Sequence, residues 1–174
     1  MATTDTLFIL TPQGGIPPAT LFATLDTLTE TSTPNATIPV LDFDGGTDEY
    51  MDWHVVIPSH YSGTTGFTFK YTYAMAGVDV DLVDLEFSVA KIVDTEIATA
   101  DQGLDTATPV SIQDTPVATV TADKVAVSPP GSLAKANFGS AVAGDYIIIR
   151  CQRDTGAAAN DDDLQLINIV VTDT

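Results

Sequence analysis

Between Gly66 and Met75 the chain reads GFTFKYTYAM, and every second side chain is large and apolar: Phe67, Phe69, Tyr71, Tyr73 and Met75 alternate with Thr68, Lys70, Thr72 and Ala74. Only an extended strand sends successive side chains to opposite faces, so this run predicts a strand with one dry face and one wet face. The next segment repeats the pattern, with Val83, Leu85, Phe87 and Val89 on one side and Asp84, Glu86 and Ser88 on the other. Two such strands need a second apolar layer to cover them, and that requirement selects a sandwich.

Further strands are expected over ATIPVLDF (36–43) and YMDWHVVIP (50–58), with Gly45, Gly46 and Gly63 supplying the turns between them. Shorter strands are expected at 110–112, 117–121 and 124–127, and a helical turn near 133–136. No stretch has the period of an amphipathic helix. The expected fold is all-β: an antiparallel two-sheet β-sandwich, jelly-roll-like, with an extended N-terminal arm. Residues 1–35, rich in Thr and Pro, read as that arm or as edge strands with little core of their own. Residues 36–174 read as a single sandwich domain.

Lys and Arg number 6 against 24 Asp and Glu, a formal net charge of -18. Such a chain repels phosphates, which excludes nucleic acid and anionic membrane surfaces as partners. The N-terminus lacks a basic segment followed by a long apolar core, so neither a signal peptide nor a membrane span is expected, and synthesis in the cytoplasm follows. The lone Cys151 permits no internal disulfide and lies in an apolar strand, where a small buried hydrophobe is the natural role. Charged residues make up only 17% of the chain and the mean hydropathy is +0.18, so the acidity comes with apolar area to spare for association.

Catalytic signatures are missing. His54 lies within a strand and His60 in a loop, and neither has a Ser, Cys or acidic residue at a triad or metal-ligand spacing. The chain is therefore not expected to be an enzyme. Carboxylates cluster at Asp42, Asp44, Asp48 and Glu49, at Asp79, Asp81 and Asp84, and at Asp161, Asp162 and Asp163. DFDGGTDE fails as a calcium loop because Thr47 stands where glycine is needed and Trp53 where a glutamate is needed. No cofactor is expected beyond a weak structural calcium held by clustered acids. The aromatic ladder Phe67, Phe69, Tyr71 and Tyr73 reads as core, since the opposite face of its strand is polar; exposed, it would have been a sugar-stacking platform.

The C-terminal strands pose a different question. Alternation sets Ile147, Ile149 and Cys151 against Tyr146, Ile148 and Arg150, and sets Ile167, Ile169 and Val171 against Leu164, Leu166 and Val170. Leaving either set in water forgoes roughly 1.5–3 kcal/mol per large side chain. The second face is therefore expected to be covered by the arm or by another copy, which makes Ile148, Leu164, Leu166, Ile167, Ile169 and Val171 candidate interface residues.

The run PVLDFDGGTDEYMDWHVVIPSHYSGTTGFTFKYTYAM (39–75) resembles a pattern in structural proteins of tailed bacteriophages. Its elements are Leu41-Asp42-Phe43-Asp44, an acidic turn, an aromatic strand ending in Pro58, then Tyr61-Ser62-Gly63 and the alternating aromatics. The ending, AGDYIIIRCQRD with DDLQLINIVV, is similar to the close of that pattern, a hairpin carrying Arg150 and Arg153. The resemblance implies a small virion β-sandwich in the style of head decoration (cement) proteins or spikes: a homo-oligomer, by analogy a homotrimer, clamping the major capsid protein. It brings no active site. Lys70, Lys91, Arg150 and Arg153 are expected to act through salt bridges. The alternative is a glycan-binding β-sandwich module displayed on a virion or a cell surface.

Overall fold

A computed structural model describes residues 5–29, 35–78, 81–92, 104, 107–115, 124–157 and 161–174. The first sheet runs β2 (Thr24–Thr29), β3 (Thr37–Phe43), β11 (Leu164–Asp173), β5 (Gly66–Met75), β8 (Ala126–Val127), with β1 (Thr6–Leu10) also paired to β11 and β9 (Gly131–Ala134) also paired to β5. The second sheet runs β4 (Tyr50–Val56), β10 (Tyr146–Arg153), β6 (Val83–Lys91), β7 (Val110–Asp114). All these pairings are antiparallel, and the two sheets form the expected jelly-roll-like β-sandwich. The turn expected at 133–136 sits slightly later: Leu133 and Ala134 extend β9, and a 3-10 turn follows at Lys135–Phe138, closed by Gly139 at φ 64°. The strand expected at 117–121 lies outside the described residues.

Alternation decides the core. Phe67, Phe69, Tyr71 and Tyr73 of β5 are fully buried, and Leu85 and Phe87 of β6 meet them from the other sheet. Phe69 stacks on Phe87 with ring centroids 4.8 Å apart, and Phe67 on Phe138 at 4.6 Å. Burying two tyrosines is tolerable because each hydroxyl is satisfied: Tyr71 donates to the Ile112 carbonyl at 3.0 Å and Tyr73 to the Asp114 carboxylate at 3.0 Å. The ladder is core and presents no ring to a sugar.

The last strand departs from strict alternation. Leu166 lies opposite Tyr73 and Asn168 opposite Thr72, so Ile167 is an extra residue, a β-bulge. The bulge resets the phase: Leu164, Leu166, Ile169 and Val171 all face the core, at 0%, 1%, 0% and 0% exposure. It also marks a change of neighbour on the other edge, since Leu164–Leu166 pairs with β3 and Ile169–Thr172 with β1. The assignment of these four side chains to a partner interface is therefore corrected: they fill the protein's own interior. Ile167, at the bulge, is half-buried, and Ile148 lies on the outer face of the second sheet at 8% exposure.

The N-terminal residues are woven into the sandwich. After β1 the chain turns at Pro12–Gly14, where Trp53 Nε1 donates to the Thr11 carbonyl at 2.9 Å. It then crosses to the second sheet, bridging Ile16 to Asp52 and Phe22 to Tyr50 along β4, before returning as β2. Gly15 makes this crossing possible, because a Cβ there would stand 2.7 Å from the Met51 side chain. The segment straps one open edge of the sandwich, burying Leu7, Leu10 and Ala23 and leaving Ile9, Ile16, Leu21, Phe22 and Leu25 exposed.

Candidate functional site

The same alternation that buries Ile147, Ile149 and Cys151 of β10 turns Tyr146, Ile148, Arg150 and Gln152 outward. Their cross-strand partners come from β4 and β6, so the outer face of the second sheet carries ordered rows. One row is Tyr50, Gln152, Glu86 and Ser111; the next is Asp52, Arg150 and Ser88. A third row, His54, Ile148 and Ala90, continues the face towards Tyr146, whose hydroxyl lies 2.8 Å from His54 Nδ1.

The first two rows form the floor of a groove of about 510 Å³. Pro18, Thr20 and Leu21 of the N-terminal strap rise on the β4 side. Leu104, Ala107 and Pro109, which precede the edge strand β7, line the other. Within the floor, Arg150 grips Asp52 through both carboxylate oxygens, Nε to Oδ1 at 2.8 Å and the terminal nitrogen to Oδ2 at 2.9 Å, and its guanidinium lies 5.5 Å from the Tyr50 ring centroid. That pair closes on itself electrically and fixes the ring.

Glu86, Ser88 and Gln152 differ. Each is half-buried on the floor, and among the described residues none of the three side chains has a hydrogen bond or an ion pair. These side chains still reach water, and convergence of polar groups with open hydrogen-bonding capacity in a concavity is how a protein holds that capacity ready for a ligand. Burial, and after it the acids Asp154, Asp84 and Asp48, raises the Glu86 carboxyl above the ordinary glutamate value. Asp84, on the same strand, is committed, accepting from the Ser111 hydroxyl at 2.7 Å and from Gln113 at 3.2 Å.

The carboxylate clusters seen in the sequence meet elsewhere. Asp42, Asp44, Glu49, Asp162 and Asp163 surround Arg153, which is fully buried on the core side of β10 and donates to the Phe43 carbonyl at 3.0 Å. Backbone amides occupy several of these acids: Glu49 accepts from the Asp44 N–H at 2.9 Å and Asp163 from the Gly45 N–H at 2.9 Å. Among the described residues no group of His, Cys, Asp or Glu is arranged to hold a metal ion. Of the lysines and arginines singled out from the sequence, Lys91 pairs with Asp145 at 2.8 Å and Arg150 with Asp52, while Lys70 is exposed on β5. His60 faces the Thr6 carbonyl at 3.3 Å and Cys151 is buried in the core.

Asp42 is the strained member of this corner. It lies opposite Gln165 on the outer face of the first sheet, and Asp42 Oδ1 and Gln165 Oε1 are both buried without a hydrogen-bond partner. Burial, helped by Asp163, Asp26 and Glu49, pushes the Asp42 carboxyl from 3.8 up to about 6. A carboxyl whose folded pKa exceeds its unfolded one favours folding while protonated, so its contribution is complete below the unfolded value and is lost as pH rises through about 6. Melting temperature is expected to fall over this range in the native protein. Asp42→Asn is expected to match it near pH 4 and exceed it at pH 7; a variant that declines as the native protein does would contradict this assignment.

No protein-family model matches the chain, and no curated protein matches it. Among solved structures it is similar to the C-terminal CBM6 of LamC, a marine laminarinase from Zobellia galactanivorans, at 13% identity and a TM-score of 0.44 over 97% of this chain and 99% of that one. It is also similar to the CBM22-1 xylan-binding domain of Paenibacillus barcinonensis Xyn10C, at 13% identity and a TM-score of 0.42 over 99% and 96%. A further likeness is to Caldicellulosiruptor saccharolyticus CBM27-1 in complex with mannohexaose, at 9% identity and a TM-score of 0.44 over 95% and 96%. Likeness at this level bears on chain layout alone, so the functional reading rests on the groove.

Proposed function

We propose that the chain is a carbohydrate-binding β-sandwich whose ligand lies in the groove over β4, β10 and β6. The observation that supports this is the set of uncommitted groups: the Gln152 amide, the Ser88 hydroxyl and the Glu86 carboxylate, in adjacent cross-strand rows beside the Tyr50 ring. A saccharide presents hydroxyls that both donate and accept, matched to this mixed set, and C–H faces that pack against an aromatic ring. Neighbouring strands are about 4.8 Å apart, comparable to the width of a pyranose ring, so one sugar spans two strands of the floor. The strap and the segment before β7 wall the floor on two sides.

Screening an array of oligosaccharides, followed by titration of the best ligand, tests the reading. Tyr50→Ala and Gln152→Ala are each expected to weaken binding about tenfold, the equivalent of roughly 1.4 kcal/mol, with the melting temperature monitored to confirm folding. Absence of any saccharide bound at millimolar concentration would sink it.

A second reading, a self-associating decoration protein, is favoured by one observation, an apolar surface on the strap. Ile9 and Leu25 are 63% and 61% exposed, Ile16, Leu21 and Phe22 are exposed beside them, and Asp26 is the only charged residue from Thr6 to Thr29. In a chain of net charge -18 this is the surface where copies or a shell protein would meet with least repulsion. On this reading the contact lies on the strap and β2, away from the core residues of β11.

A further inference from the structure

The groove's charge is unbalanced, and the imbalance bears on which saccharide it takes. Arg150 is neutralised by Asp52 through two hydrogen bonds. Glu86 has no such counterpart: among the described residues its carboxylate has neither an ion pair nor a hydrogen bond, and the charged groups named around it, Asp154, Asp84 and Asp48, are acids. A ligand that covers the floor removes water from this carboxylate. Under a neutral sugar the charge would then be met only by hydroxyl dipoles, whereas an ammonium group would compensate it directly.

Resting on the saccharide reading of the same site, we infer that the groove selects a glycan carrying a free primary amine, with the ammonium seated on Glu86. Gln152 lies directly across from Glu86 on β10, and Ser88 is the next outward residue along β6. An amine over Glu86 therefore leaves the adjoining ring hydroxyls over the amide and the serine, and the ring face towards Tyr50. The rest of the molecule favours the same choice. A net charge of -18 draws cationic chains in and turns uronic or sulfated ones away.

Calorimetric titration with three probes separates this inference from the reading beneath it: glucosamine oligomers, their N-acetylated counterparts, and neutral glucan oligomers of equal length, at a pH where the amine is charged. The free-amine oligomer is expected to bind about tenfold tighter than either other probe in low salt. The preference is expected to shrink as salt screens the pair. Glu86→Gln, nearly isosteric, is expected to abolish the preference, so that the free-amine oligomer binds no more tightly than its N-acetylated counterpart. Equal affinity for all three probes, unchanged in Glu86→Gln, overturns the amine selection and leaves a saccharide groove. Failure of all three to bind, with none found on the array, overturns both.

Discussion

Arg153→Ala is expected to destabilise the fold by about 3–5 kcal/mol, the usual consequence of removing one partner from a buried charge network. The side chain is fully buried, and it joins the two sheets by donating from β10 to the Phe43 carbonyl at the end of β3. Around it stand Asp163, Asp44, Asp162 and Glu49, which draw its pKa up while burial, the larger effect, lowers it. Without the guanidinium, these acids repel one another and a buried carbonyl loses its donor. For a chain of this length roughly 2–4 °C of melting temperature goes with each kcal/mol, so thermal unfolding reads the loss directly. Arg153→Lys keeps the charge but lacks the planar fork, and an intermediate loss is expected. A native melting temperature in Arg153→Ala would mean that the acidic corner is solvated and needs no cation.

The second large effect is expected at the bulge. Ile169→Asp places a carboxylate in the core between Tyr71 and Leu10, its cross-strand neighbours. Loss of the apolar burial and desolvation of the charge together put the cost at roughly 4 kcal/mol or more, a large fraction of the stability of a typical domain. Ile167→Asp, two residues earlier, changes a half-buried side chain at the bulge and is expected to cost under about 1 kcal/mol. Strict alternation puts Ile167 and Ile169 on one face and demands similar outcomes. Yield of soluble protein and chemical unfolding distinguish the two, and equal damage at both positions would show that the phase is not reset at Ile167.

That contrast shows how far the residues reveal the fold. The ladder of β5 and the matching pattern of β6 are unbroken alternations flanked by turn residues, and they dictate strands, faces and core without knowledge of neighbours. The last strand hides its phase change, because a bulge adds one residue without altering composition. A trace exists: Gln165 and Asn168 are both polar and both outward, and their odd separation is incompatible with a regular strand. Apolar residues on every side mask that parity conflict, and strict alternation then assigns core side chains to an interface.

The groove was legible residue by residue and illegible as a site. Alternation turns Glu86 and Ser88 outward from β6 and Arg150 outward from β10. Nothing local says that β10 lies between β4 and β6, bringing Tyr50, Gln152 and Glu86 into one row from far apart along the chain. Sheet order is a non-local property, set by the way the aromatic face of one sheet is covered by the other. The strap is similar: Gly15 and the prolines around it signal an irregular path, and only the bridges to Asp52 and Tyr50 reveal that the path forms one wall of the groove.

The most direct measurement is a saccharide titration followed by backbone amide chemical shifts of the uniformly labelled protein. Shifts concentrated on Tyr50, Glu86, Ser88, Arg150 and Gln152, with the strap residues Thr20 and Leu21 responding beside them, are the expected result. Shifts confined to other surfaces, or a spectrum unmoved by every ligand tried, would contradict the assignment of this groove as a carbohydrate site.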